Sequence, residues 1–148
     1  MRLLVQVVSH ACVRTEGTVI GEIGTGFLIF AGFTDGDDEE VVDRLLDKCM
    51  KLRILPDANG KTNRSLEDKN GSVLIVSQFT LYADMRRGHR PGFTRALEPK
   101  RAEELYEYLL KKAAEYGRPV RHGKFGAEMQ VELTNEGPFT VMLDSAEM

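Results

Sequence analysis

Apolar residues recur along this chain in two rhythms, and the switches between the rhythms mark the elements. Positions 2–8 and 18–23 read as strands, and the unbroken apolar run 26–31 (Gly-Phe-Leu-Ile-Phe-Ala) predicts a strand buried on both faces. Gly17, Gly21, Gly24 and Gly26 predict turns or bulges around these strands. From Asp37 the period lengthens: Val41, Val42, Leu45, Leu46, Cys49 and Met50 share one helical face, with Asp37, Asp38, Glu39 and Glu40 at the positive end of the helix dipole. A strand with Ile54 and Leu55 then meets Pro56-Asp57-Ala58-Asn59-Gly60, whose Asn-Gly predicts a hairpin. Ser72 to Val76 predicts a further buried strand that runs into Ser77-Gln78-Phe79-Thr80-Leu81-Tyr82. A second helix begins at Glu98-Pro99, carries Ala102, Leu105, Leu109, Ala113 and Tyr116 as its apolar stripe, and stops at Gly117 and Pro119. Beyond it, Val120 to His122, the alternation Met129, Val131, Leu133 and the alternation Phe139, Val141, Leu143 predict three more strands. The sum is an α+β chain: one domain over residues 1–148, with two main helices and a curved or barrel-like sheet.

Composition narrows the picture. At 148 residues the chain buries a core without disulfide or metal staples, and 42% hydrophobic with 29% charged residues excludes long disorder. The N-terminal apolar run is interrupted by Ser9 and His10 too early for a signal peptide, and no run approaches membrane-spanning length, so a cytoplasmic protein with no membrane partner is expected. Cys12 and Cys49 lack CxxC spacing and read as small apolar side chains in a reducing compartment. A net charge of −3 argues against a protein that coats nucleic acid, which needs a basic face, but leaves contact with a short nucleic-acid end open. The one basic concentration is Met85-Arg86-Arg87-Gly88-His89-Arg90-Pro91-Gly92, a Gly- and Pro-punctuated loop whose default reading is a solvated surface and whose alternative is a phosphate contact.

Candidate chemistry concentrates in two stretches. Asn135-Glu136-Gly137-Pro138-Phe139-Thr140 sets a Gly-Pro pair between apolar strands, where proline fixes φ and removes a donor; if the bond is cis, the two flanking carbonyls can point the same way and together hold a cation such as a primary ammonium. The plainer reading is a tight turn. In Ser77-Gln78-Phe79-Thr80 the hydroxyls have no histidine or carboxylate in their own stretch, so a hydrolase built on them needs either a distant base or a substrate that supplies its own reactive group. The plainer reading is a set of turn and capping residues at a strand end. Phe79, Phe125 and Phe139 read as core. His10, His89 and His122 have no carboxylate or cysteine at metal spacing, so no zinc site and no cofactor is expected.

The opening MRLLVQVVSHACV, the block from LRILPDANGK to SQFTLYADMRRGHRPGF, the GKFGAEM stretch and the terminal NEGPFT together resemble the D-aminoacyl-tRNA deacylase family, in order and over essentially the whole chain. The paired motifs SQFTLY and NxGPxT carry most of that resemblance. It implies a homodimeric hydrolase that cleaves the ester between a D-amino acid and the 3′-terminal ribose of tRNA, and by extension removes glycine from mischarged tRNA. It further implies that Gly137 and Pro138 are joined by a cis bond and enter the partner subunit's pocket, where they bind the α-ammonium and exclude an L side chain. Ser77, Gln78, Phe79 and Thr80 would line the pocket for the terminal adenosine and ester, with Asn135, Thr140, Phe125 and Met129 as further substrate-binding positions. The reacting group is either Thr80 or the ribose 2′-hydroxyl. Phe139 departs from the family's usual valine, which bears on packing behind the dipeptide. Two rival classes stand beside this reading: a non-enzymatic module that holds RNA ends or a peptide amine, and a hydrolase of free D-amino-acid esters or amides.

Overall fold

A computed structural model describes residues 1–148. Its strands are β1 (Arg2–Thr15), β2 (Thr18–Ile23), β3 (Gly26–Gly32), β4 (Leu55–Pro56), β5 (Thr62–Arg64), β6 (Ser72–Ser77), β7 (Val120–His122) and β8 (Gln130–Asp144), and its helices are α1 (Glu39–Met50) and α2 (Pro99–Ala113). β4 and β5 form the small hairpin expected around Asn59-Gly60; the other six strands form one mixed sheet in the order β2-β1-β3-β6-β7, with β8 on the second edge of β1. β1 runs antiparallel to β2, β3 and β8, whereas β3–β6 and β6–β7 are parallel.

The parallel strands explain the unbroken apolar runs. Phe27 and Ile29 of β3, with Val73 and Ile75 of β6, face the helices, while Leu28 and Leu74 point to the other side. The helix side is a cluster of 22 buried residues into which α1 sends Val42, Leu45, Leu46, Cys49 and Met50 and α2 sends Ala102, Leu105, Tyr106, Leu109 and Ala113. Both helices start on a side-chain cap: Asp38 accepts from Val41 N, and Glu98 from the backbone N–H groups of Lys100 and Arg101. Tyr116, expected on the α2 stripe, lies instead in a 3₁₀ turn after it, half-buried with its hydroxyl on Asp47.

The second cluster, seven buried residues including Val8, Ala11, Val13 and Ile23, fills the curve of the sheet. β2 crosses over to touch β6 and β7, and this closes the barrel-like shape. Gly21, which the sequence marks as a turn or bulge, sits inside β2 at this crossing and beside a bulge, since Val13 pairs with Gly21 but Arg14 with Val19; a Cβ there would stand 3.1 Å from His122 O and 3.2 Å from Leu74 Cδ1. Close approach, not turning, is what excludes a side chain.

Two further expectations are corrected by register. The two C-terminal alternations are not separate strands but halves of β8, both paired with β1. Asn135 pairs with Val8 and Thr140 with Gln6, so residues 136–139 stand opposite Val7 alone and project as a four-residue bulge. The expectation that no histidine has metal-ligating company also fails at His10, because antiparallel pairing of β1 with β2 sets Glu22 against Cys12 and within reach of His10. Cys12 accordingly is buried beside carboxylates instead of in a purely apolar site, while Cys49 lies wholly in the core; both are free thiols.

Candidate active site

β6 is buried on both faces through Val76 and loses that apolar cover at Ser77, where the chain leaves the sheet. Gln78 extends the parallel ladder by one more bond, N–H to Ala31 O at 2.7 Å, and Phe79–Tyr82 then turns as a single 3₁₀ element. That turn is pinned from behind. Arg2 donates to Leu81 O at 2.7 Å and to Asp144 Oδ2 at 2.8 Å, and its guanidinium lies 4.5 Å from the centre of the buried Tyr82 ring. Burial pushes the Tyr82 phenol well above its ordinary range, so it stays neutral.

In front of the turn opens a cavity of about 580 Å³. Ser77, Gln78 and Phe79 form one wall, and Phe125, Met129 and Val131 another; Phe93, Leu97 and Ala102 close the remaining side. Tyr106 holds two of these walls together, its buried hydroxyl donating toward Ile75 O at 3.0 Å and Gly123 O at 3.1 Å, and its ring lying 5.8 Å from that of Phe125. The cavity is mainly apolar. Its only charged lining residue is Glu98, whose carboxylate caps α2, and no histidine reaches it.

Phe79 is not core, as expected from its type, but 55% exposed at the cavity mouth, where it meets the 42% exposed Phe93 edge-on at a centroid distance of 5.1 Å. Two exposed rings flanking an apolar cleft suit a planar heteroaromatic group. Phe93 escaped the sequence reading. Its only signal was an aromatic directly after the basic loop, and exposure of an aromatic is invisible to composition. Thr80 is exposed beside the cavity without lining it; Gln78 Nε2 donates to its Oγ1 at 2.5 Å. Neither Ser77 nor Thr80 hydrogen-bonds to a histidine or carboxylate, so the structure brings no base to either hydroxyl.

The second motif lies elsewhere. Gly137 and Pro138 lie in the β8 bulge and Asn135 and Thr140 flank it, and none of the four lines the cavity of its own chain. Asn135 ties the base of the bulge: its Oδ1 accepts from Phe139 N at 2.7 Å, and its Nδ2 donates to Thr140 Oγ1 at 2.9 Å, which also receives Gln6 Nε2 at 3.2 Å. Phe139 is half-buried against the helix-side core, so the large ring serves as an anchor behind the tip. The tip itself is exposed. Its Gly137–Pro138 peptide is cis, and Gly137 has φ +128°, where L side chains are rarely found.

The basic loop closes on reciprocal backbone bonds between Asp84 and Gly92 at 2.7 and 2.9 Å. Arg86 folds back onto Asp84, holding that carboxyl well below the usual range, while Arg87, His89 and Arg90 remain exposed near Phe93.

Residues 4–144 match the family described as D-Tyr-tRNA(Tyr) deacylase. The chain is 47% identical to the D-aminoacyl-tRNA deacylase of Lactobacillus acidophilus over 97% of this chain and 99% of that protein. It is 49% identical to the one of Clostridioides difficile over 99% and 98%. Among solved structures it resembles the c-Myc DNA unwinding element binding protein, with a TM-score of 0.91 and 35% identity over 97% of this chain and 98% of that one.

Proposed function

The chain belongs to the D-Tyr-tRNA(Tyr) deacylase family and is a hydrolase of D-aminoacyl-tRNA, and from that premise we propose that it works as a cytoplasmic homodimer with two composite sites. The cavity of one copy takes the terminal adenosine against the paired rings of Phe79 and Phe93 at its mouth, and the Gly137–Pro138 tip of the other closes over the aminoacyl ester. Main-chain carbonyls of the tip hold the α-ammonium; the substituent of an L-residue then points into the dipeptide and is refused. Glycyl-tRNA has no side chain to refuse and is cleaved as well. A filter made of backbone accepts many D side chains because it reads only the ammonium and the handedness.

The observation that carries this reading is the separation of the two motifs: the cavity has no tip of its own, and the tip has no cavity of its own. A two-fold pairing of identical copies supplies each with the other. The missing base supports a further step. With neither histidine nor a free carboxylate facing the ester, the ribose 2′-hydroxyl of the substrate is the reacting group, and Ser77, Gln78 and Thr80 position it.

Deacylation of D-Tyr-, L-Tyr- and Gly-tRNA, of D-Tyr-tRNA ending in 2′-deoxyadenosine, and of free D-Tyr ethyl ester tests these statements together. The D-Tyr and Gly substrates should turn over, and the L-Tyr, 2′-deoxy and free-ester substrates should not. Cleavage of L-Tyr-tRNA at the D rate, or an acyl-enzyme trapped on Thr80, contradicts the reading.

A further inference from the structure

Away from the cavity, three neighbouring strands gather a donor set that no part of the deacylase reading uses. His10 and Cys12 are two residues apart on β1 and share a face of the sheet. Directly opposite Cys12 stand Glu22 on β2 and Glu132 on β8, and cross-strand partners bring their Cβ atoms to about 4.5–5.5 Å. The side chains converge accordingly. His10 Nε2 lies 2.6 Å from Glu22 Oε2, and Cys12 Sγ lies 3.7 Å from Glu132 Oε2. The donor atoms of His10, Cys12 and Glu22 all fall within 4.8 Å of one another.

We propose that His10, Cys12 and Glu22, with Glu132 in the fourth position, bind a thiophilic divalent cation of the zinc class and so clamp β2, β1 and β8 together. A tetrahedral ion with bonds of about 2.0–2.3 Å separates its donors by roughly 3.3–3.6 Å. Small side-chain rotations produce those spacings. Cys12 is only 1% exposed and forms the fixed point of the site. The side chains of His10 and Glu22, at 44% and 55%, have room to open their hydrogen bond around the ion. Thiolate with imidazole selects zinc-like ions over magnesium or calcium, which prefer oxygen alone. The charges also close: one thiolate and two carboxylates are balanced by a doubly charged ion and by Arg14, whose Nη1 lies 3.6 Å from Glu132 Oε2.

Binding breaks the Cys12 S–H bond and forms a sulfur–metal bond, with the proton passing to solvent and no change of oxidation state. Glu132 lies three residues before Asn135 on the strand that carries the bulge, so the clamp fixes the stem of the tip without touching the deacylation cavity.

Cobalt(II) titration of the tag-free, chelator-stripped and reduced full-length protein tests this directly. The expected result is a near-ultraviolet thiolate-to-cobalt charge-transfer band with intense visible bands of tetrahedral cobalt, saturating at one ion per chain and displaced by zinc. Cys12→Ser should abolish the charge-transfer band, His10→Gln and Glu22→Gln should each weaken binding by about ten-fold or more, and Cys49→Ala should leave the spectrum unchanged. If Cys12→Ser fails to fold, the His10 and Glu22 variants carry the test. Absence of a charge-transfer band in the parent, its survival in Cys12→Ser, or unaltered affinity in both His10→Gln and Glu22→Gln overturns the proposal.

Discussion

The cavity beneath Phe79 and the tip at Gly137–Pro138 are opposite kinds of structure. The cavity is concave and apolar, with walls drawn from β6, α2 and the segment around Phe125, and core side chains such as Tyr106 brace it. The tip is convex and exposed, and its shape depends on a few hydrogen bonds from Asn135 and on the Phe139 anchor. One offers shape without a group committed to an ammonium; the other offers main-chain polarity without a space to enclose a substrate. If the proposed function holds, the contrast divides one site between rigid reception and local stereochemical refusal, and damage to the two halves should look different.

The largest expected effect is at the tip. In Gly137→Ala the new Cβ falls 3.1 Å from Phe139 N and 3.4 Å from Phe139 Cβ, at a φ of +128° that alanine resists. Displacement of the dipeptide by a fraction of an ångström to an ångström should lower D-Tyr-tRNA deacylation by about 100-fold, with the melting temperature nearly unchanged because the tip is exposed. Parental activity in this variant would reduce the tip to a bulge. Tyr106→Phe is the converse experiment. It leaves Ile75 O and Gly123 O without the buried phenol, and urea unfolding should show a loss of about 1–3 kcal/mol. The KM for D-Tyr-tRNA should rise as the wall loosens, while the refusal of L-Tyr-tRNA persists. A variant equally stable, or one that cleaves L-Tyr-tRNA, breaks the proposed division of labour.

The smallest effect lies in the helix layer, remote from both halves. Arg101 makes a two-pronged pair with Glu39, both bonds 3.0 Å, joining α2 to the first turn of α1. The hydrogen bond from Arg101 is the main cause that lowers the Glu39 carboxyl from its ordinary value near 4.5. A depressed carboxyl contributes stability above that ordinary value and loses it as pH falls through the folded value. Arg101→Ala should therefore melt slightly below the parent at neutral pH, and the difference should vanish in acid. The pair is largely solvated, so the shift should be small and salt-sensitive. An undiminished difference at low pH would remove the ion pair as its cause.

Much of the fold was legible because its elements are announced locally. Asp38 and Glu98 stand at the two helix starts that sequence periodicity proposes, and the run at 26–31 becomes a strand covered on both sides. Ser77, Gln78, Phe79, Phe125 and Met129 do meet at one cavity, although only the family resemblance drew them together in advance. What escaped depends on pairing between distant segments. Alternation on both sides of Gly137–Pro138 is the same for two strands joined by a turn and for one strand carrying a bulge; only the register against Gln6 and Val8 separates them. Likewise His10, Cys12 and Glu22 have no metal spacing along the chain and acquire it across strands. Phe79 and Phe93 look like any core aromatics until their surroundings are built.

Complementation between two disabled chains tests most directly the claim that each site takes its cavity from one copy and its tip from the other. Ala127→Trp fills the cavity and leaves the tip intact; Gly137→Ala spoils the tip and leaves the cavity intact. Each variant alone should be nearly inactive on D-Tyr-tRNA. After unfolding and joint refolding at equal amounts, half of the dimers are mixed and each holds one intact composite site, so activity should return to about one quarter of the parental value. Activity no higher than the mean of the two separate variants, with mixed dimers demonstrated by mass, would contradict the account.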